Sequence, residues 1–199
     1  MSFLTRFLAI VLAVGFLMTP TKPLKAYELR PIVIELRPSG SGSSATMIIT
    51  NSHSVPIAIE ISAFRREQNA DGSDTLTLEE DDLIVGPPQM IIAAGASQSF
   101  KVQWIGDPSP QRELTYRIVT EQLPIDLAKG ANGTGINGEV KVQYRYEAAL
   151  YVIPTGAEPS ARLASVERVM SEDGTEMLEV GISSEGTMRA ILDKPVLEL

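Results

Sequence analysis

From Tyr27 onward the apolar residues of this chain recur at every second position, a period that suits strands and excludes an amphipathic helix. Ile32, Ile34 and Leu36 alternate with Val33, Glu35 and Arg37, and Met47 and Ile49 alternate with Ile48 and Thr50. Ile57, Ile59, Ile61 and Ala63 alternate with Ala58, Glu60, Ser62 and Phe64. Turn-forming clusters separate these runs: Pro38-Ser39-Gly40-Ser41-Gly42, Asn51-Ser52-His53-Ser54, Asp71-Gly72-Ser73-Asp74, Pro87-Pro88, Ala94-Gly95 and Pro108-Ser109-Pro110. Further strands are expected at Ser99–Ile105, Leu114–Gln122 and Glu139–Ile153. About seven antiparallel strands in this space imply an all-β, immunoglobulin-like β-sandwich over residues 27–154. No segment of ten residues has a helical face, and Asp126–Lys129 has room for a single helical turn.

Ahead of the strands lies a segment of a different kind. Arg6 precedes an apolar run from Phe7 to Met18, followed by Pro20, Lys22, Pro23 and Lys25. Those 12 residues reach about 18 Å as a helix, against a bilayer core of about 30 Å. Residues 1–26 therefore read as a secretory signal peptide cut after Ala26. Its loss removes Arg6, Lys22 and Lys25 and no acid, taking the formal charge from −8 to −11. So acidic a chain lacks the basic surface that nucleic-acid binding requires. No later stretch is apolar enough to span a bilayer, so the expected address is the periplasm or the exterior, without stable membrane insertion.

The residues that carry chemistry elsewhere are scarce. The absence of cysteine excludes a disulfide scaffold, a Cys-ligated metal and a thiol nucleophile. Gly133-Thr134-Gly135-Ile136-Asn137-Gly138 has the spacing of a dinucleotide loop, but a strand pattern follows it where a helix N-terminus is needed, so it reads as a hairpin loop. Glu79-Glu80-Asp81-Asp82 lacks calcium-loop spacing and reads as a solvated connection. His53 is the single imidazole; it lies in a turn, and the chain has no G-x-S-x-G elbow. No enzyme activity and no cofactor are expected.

Glu139–Ile153 stands apart by its length. Val140, Val142, Tyr144, Tyr146, Ala148, Leu150 and Val152 alternate with Lys141, Gln143, Arg145, Glu147, Ala149, Tyr151 and Ile153. At about 3.3 Å per residue such a strand overhangs any ordinary sheet, unless it breaks into two near Glu147. An apolar overhanging edge invites pairing with another chain. Beyond it, residues 155–160 form a polar hinge with Pro159, and residues 161–199 hold about three strands, enough for a partial C-terminal β domain.

Four stretches in this order resemble the PapD-like periplasmic pilus chaperones. They are Leu83-Ile84-Val85-Gly86-Pro87-Pro88-Gln89, the Gly95 turn with Ser99-Phe100-Lys101-Val102, Pro110-Gln111-Arg112-Glu113-Leu114-Thr115-Tyr116-Arg117 leading to Glu121-Gln122-Leu123-Pro124, and Tyr151-Val152-Ile153-Pro154. The resemblance implies a chaperone that holds pilin or fimbrial subunits by lending its long strand to their open groove and delivers them to an outer-membrane usher. Carried onto this chain, the donated side chains are Val140, Val142, Tyr144 and Tyr146. Family members anchor the subunit's C-terminal carboxylate with an Arg on the first strand and a Lys on the long one. Aligned through Pro38 and Pro154, those positions hold Ile34 and Ala149, which leaves Arg30, Arg37, Lys141 or Arg145 as substitutes. Arg112 and Glu113 are expected to join an internal ion pair. A secreted β-sandwich that is itself a structural or adhesive subunit is the alternative.

Overall fold

The computed structural model describes residues 26–125, 142–194 and 196. Twelve strands follow one another: β1 (Tyr27–Arg30), β2 (Val33–Leu36), β3 (Ser44–Asn51), β4 (Ile57–Gln68), β5 (Asp74–Leu78), β6 (Leu83–Gly86), β7 (Gln89–Ile92), β8 (Ser97–Trp104), β9 (Leu114–Gln122), β10 (Arg145–Val152), β11 (Ala161–Met170) and β12 (Glu176–Ser184). The Pro38–Gly42 turn closes in a short 3-10 helix, Gly40–Ser43. Two sheets face each other, one in the order β1-β3-β8-β6, the other β2-β10-β9-β4-β5 with β7 also on β4. β11 and β12 form a separate two-stranded sheet.

The alternation read from the sequence sets the inner faces. Met47 and Ile49 of β3, Phe100 and Val102 of β8, Ile59 and Ile61 of β4, and Ile118 of β9 are all buried in one core. Each such side chain contributes about 1.5–3 kcal/mol on leaving water. Trp104 and Tyr116 meet at 5.8 Å between ring centroids and close one end. Tyr27 of β1 spans the sandwich: its hydroxyl donates to the Thr120 carbonyl of β9 at 2.7 Å. Burial is the main cause that pushes this phenol up to about 12.

The structure departs from the sequence reading at several points. β10 pairs antiparallel with β9 but parallel with β2, so the sandwich is not wholly antiparallel. The cause is a division of the first strand at Pro31: a proline offers no N–H to a ladder, and the chain crosses there from one sheet to the other. The Arg30-Pro31 bond is cis, as is Gly86-Pro87. Ile34 and Leu36 face the core as expected, whereas Ile32 is 65% exposed. β10 begins at Arg145 and not at Glu139; Val142–Tyr144 stand outside any strand, and residues 126–141, with the glycine loop and the Asp126–Lys129 turn, lie outside the described residues. The register of β10 runs without a break through Glu147. Four short strands, β1, β5, β6 and β7, gave no periodic signal.

The acidic run is a connection between β5 and β6, with Glu80 and Asp81 exposed, but its two ends are not simply solvated. Glu79 is buried, its side chain paired with Arg65 at 3.0 Å, and it accepts the amides of Asp81 and Asp82 at 3.0 and 2.9 Å. Asp82 joins the same Arg65 and accepts the Tyr116 hydroxyl at 3.1 Å. Among the described residues no cluster of metal-ligating side chains occurs. Burial pushes the Glu79 carboxyl upward, but the amide bonds and Arg65 outweigh it and hold the group below its ordinary 4.5. Because the folded value is the lower one, the contribution of Glu79 is present above the unfolded value and lost as pH falls through the folded one. Glu79→Gln is therefore expected to lower the urea midpoint at pH 7 and to flatten the decline of stability below about pH 4. Equal acid slopes for the two proteins would refute this role.

Candidate functional site

A sheet ends where a strand runs out of partners, and β10 does so over half its length. Its ladder with β9 runs from Arg145↔Glu121 to Val152↔Leu114, while β2 covers only Ala149 to Val152. The Gln122 amide donates to the Tyr144 carbonyl at 3.0 Å, so Tyr144, Tyr146 and Ala148 spend their backbone groups on β9. Alternation turns the N–H and C=O of Arg145 and Glu147 the other way. On that side the β2 ladder starts only with the Ala149 amide donating to Ile32 O at 2.9 Å. Among the described residues the stretch Arg145–Ala148 is thus an open edge of the larger sheet.

The predicted strand residues divide between this edge and the core. Tyr144 and Tyr146 are half-buried and pack against the core, Tyr146 edge-on to Tyr27 at 4.7 Å and Tyr144 near His53 at 5.7 Å. Val142 is exposed, and Val140 and Lys141 lie outside the described residues. Beside Tyr146 a groove of about 820 Å³ opens along β1 and the crossing at Pro31, lined by Leu29, Pro31, Ile32 and Ile48.

The basic residues proposed as substitutes for the missing anchor are already engaged. Arg30 pairs with Glu28, Arg145 with both Glu121 and Glu147, and Arg37 donates to Ile153 O at 3.4 Å. Ile34 is buried in the core opposite Leu150, so the β2 residue beside Ala149 is Val33. On the other side Ala149 faces Arg117 of β9, a residue that the sequence reading did not single out. Arg117 at 3.2 Å and Arg66 at 2.6 Å share one carboxylate, Asp74, and each arginine side chain is only 15% exposed. Among the described residues, two largely buried guanidinium groups on one carboxylate leave a positive excess beside Ala149.

One row further along, Arg189 lies 3.6 Å above the Tyr151 ring and pairs with Glu35 of β2 and with Glu113, at 2.7 Å. Glu113 thus enters the internal ion pair expected of it, while Arg112 donates to Gly186 O at 3.0 Å. Gly186 admits no larger residue, since a Cβ there would stand 2.5 Å from Glu158 O. Arg117, Arg66 and Arg189 escaped sequence reasoning because their meaning depends on cross-strand register.

The two facing sheets define an immunoglobulin-like β-sandwich, and the comparisons give its family. The model of the pili and flagellar-assembly chaperone family, PapD N-terminal domain, matches residues 34–158, and the chain belongs to this family. That family is one of pilus-assembly chaperones and is not an enzyme family. No curated protein matches the sequence. Among solved structures the chain is similar to the class 5 fimbriae chaperone CfaA, at 18% identity and a TM-score of 0.58, covering 81% of this chain and 68% of that one. It is also similar to a chain of the chaperone–tip adhesin complex of CFA/I fimbriae biogenesis, at 18% identity and a TM-score of 0.57, covering 82% and 68%. A third likeness, at 13% identity and a TM-score of 0.54, covering 80% and 89%, is to a chain of the CsuC–CsuE pre-assembly complex from archaic chaperone-usher Csu pili of Acinetobacter baumannii. At these identities the likeness is one of fold.

The Glu113 side chain is 5% exposed and depends on Arg189. Arg189→Ala is expected to cost about 1–3 kcal/mol, the penalty of a buried group left unpaired. Urea unfolding should show part of that loss recovered in the Arg189→Ala, Glu113→Gln double variant.

Proposed function

We propose that this protein is a periplasmic chaperone that holds pilin or fimbrial subunits by adding its β10 edge to their unfinished sheet and delivers them to an outer-membrane usher. The observation that carries the reading is the open stretch Arg145–Ala148, whose outward backbone groups on Arg145 and Glu147 have no strand beside them among the described residues. An edge left bare in a folded domain is an aggregation hazard unless another chain is meant to occupy it. Main-chain pairing supplies affinity, and alternate side chains supply selection. Val142, Tyr144 and Tyr146, with Val140 ahead of them, are the donated side chains of this reading. The two tyrosines rest on the chain's own core and stay there when a strand is added beside them.

For the subunit's C-terminal carboxylate we assign Arg117, with Arg66 behind it. Ala149 and Val33 present no charge, and Arg117 stands directly across from Ala149 on the same face of the sheet. A carboxylate seated there meets two arginines that share a single acid, with guanidinium donors to spare.

Two outcomes test these roles. Glu147→Pro removes an N–H that points away from β9, so the domain should fold with its urea midpoint nearly unchanged and lose capture of a co-expressed pilin subunit. Undiminished capture would refute strand addition at this edge. For the anchor, a pilin C-terminal peptide with a free carboxylate should bind about ten-fold tighter than its amide, the scale of one charge-assisted hydrogen bond. Arg117→Gln should erase that preference, and a preference that survives it would move the anchor elsewhere.

A further inference from the structure

The sequence alternation groups Ile32, one residue ahead of β2, with Ile34 and Leu36, yet Ile32 is 65% exposed while the other two are buried. Its uncovered side faces the groove of about 820 Å³ that also holds Leu29, Ile48, Tyr27 and Tyr146. Glu28 and Arg30 on the rim neutralise each other. The groove forms because the chain leaves β3 at Pro31: β1 pairs with β3 only as far as Arg30↔Ile48, so Ser44–Met47 have no β1 residue beside them. Each wall of this apolar seam therefore carries a strand edge, β3 on one side and Arg145–Ala148 of β10 on the other.

We infer that the seam groove is a receiving pocket for one bulky apolar side chain of an extended segment from the bound partner, at the position facing Tyr146. The inference rests on strand addition at β10 and goes beyond it, since it makes the chaperone an acceptor of a side chain as well as a donor. A strand added to the open edge lies about 4.8 Å from β10. Its residues opposite Arg145 and Glu147 point to the outer face, and the residue opposite Tyr146 points inward, within about 5 Å of the Tyr146 Cβ. That residue enters the groove and covers Ile32, completing the core row that Ile34 and Leu36 begin. A partner segment with Phe, Leu or Ile at this one position is preferred over one with Ala or a charged residue. The unpaired edges on the walls favour a polypeptide over a small apolar molecule, which has no use for backbone amides.

The test uses the full chain and two synthetic nine-residue peptides of alternating Thr and Val, identical except for Phe or Ala at the central position. Isothermal titration should give the Phe peptide an affinity at least ten-fold higher than the Ala peptide. Ile48→Arg, at an exposed rim position, should bring that ratio close to one, and Ile32→Ser provides a second variant should the first fail to fold. Glu147→Pro should abolish binding of both peptides in the same measurement. Equal affinities in the wild type, or a ratio unmoved by Ile48→Arg and Ile32→Ser, would overturn the pocket while leaving strand addition standing. If the wild type bound neither peptide, strand addition and the pocket would fall together.

Discussion

The geometry of this protein depends on a proline that cannot donate to a β-ladder. Pro31 ends β1 in one sheet, and the chain then crosses to begin β2 in the other. Because the crossing takes up residues that would otherwise have extended β2 backwards, β2 reaches β10 only from Ala149 onward. The bare half of β10, the exposed Ile32 and the seam groove all follow from that shortened overlap. A continuous first strand in either sheet would have covered one edge and closed the seam.

Charge is distributed unevenly over the outer face of the larger sheet. Among the described residues Arg145 serves two acids and Arg189 serves two, whereas Arg66 and Arg117 together serve Asp74. A chain with a formal charge of −8 thus carries, among its described residues, a local positive excess beside β10. That excess is partly buried, where screening by salt is weak, while exposed pairs such as Arg30 with Glu28 add little to stability.

The inner faces were legible because burial imposes the same period on every strand that has enough residues to show it. β3, β4, β8 and β9 fall where the alternation placed them. Strands of four residues, such as β1 and β7, offer too few repeats for a period to emerge. Periodicity assigns a residue to a face but does not say whether anything covers that face, and Ile32 shares the alternation of Ile34 and Leu36 yet is exposed. The same limit hid Glu79, whose partner Arg65 lies 14 positions earlier in the chain. Arg117 became meaningful only when β10 set Ala149 opposite it, and the parallel partnership of β2 with β10 joins segments too distant for any local signal.

That distance bears on when the binding edge exists. β2 and β10 bracket nearly the whole sandwich, so their ladder closes a very long loop and belongs to the slow, late part of folding. Until the chain is complete through Val152, β2 has no β10 to pair with. The β2–β10 ladder is completed only after the segment through Val152 has arrived, so in the proposed reading an unfinished molecule has no docking edge.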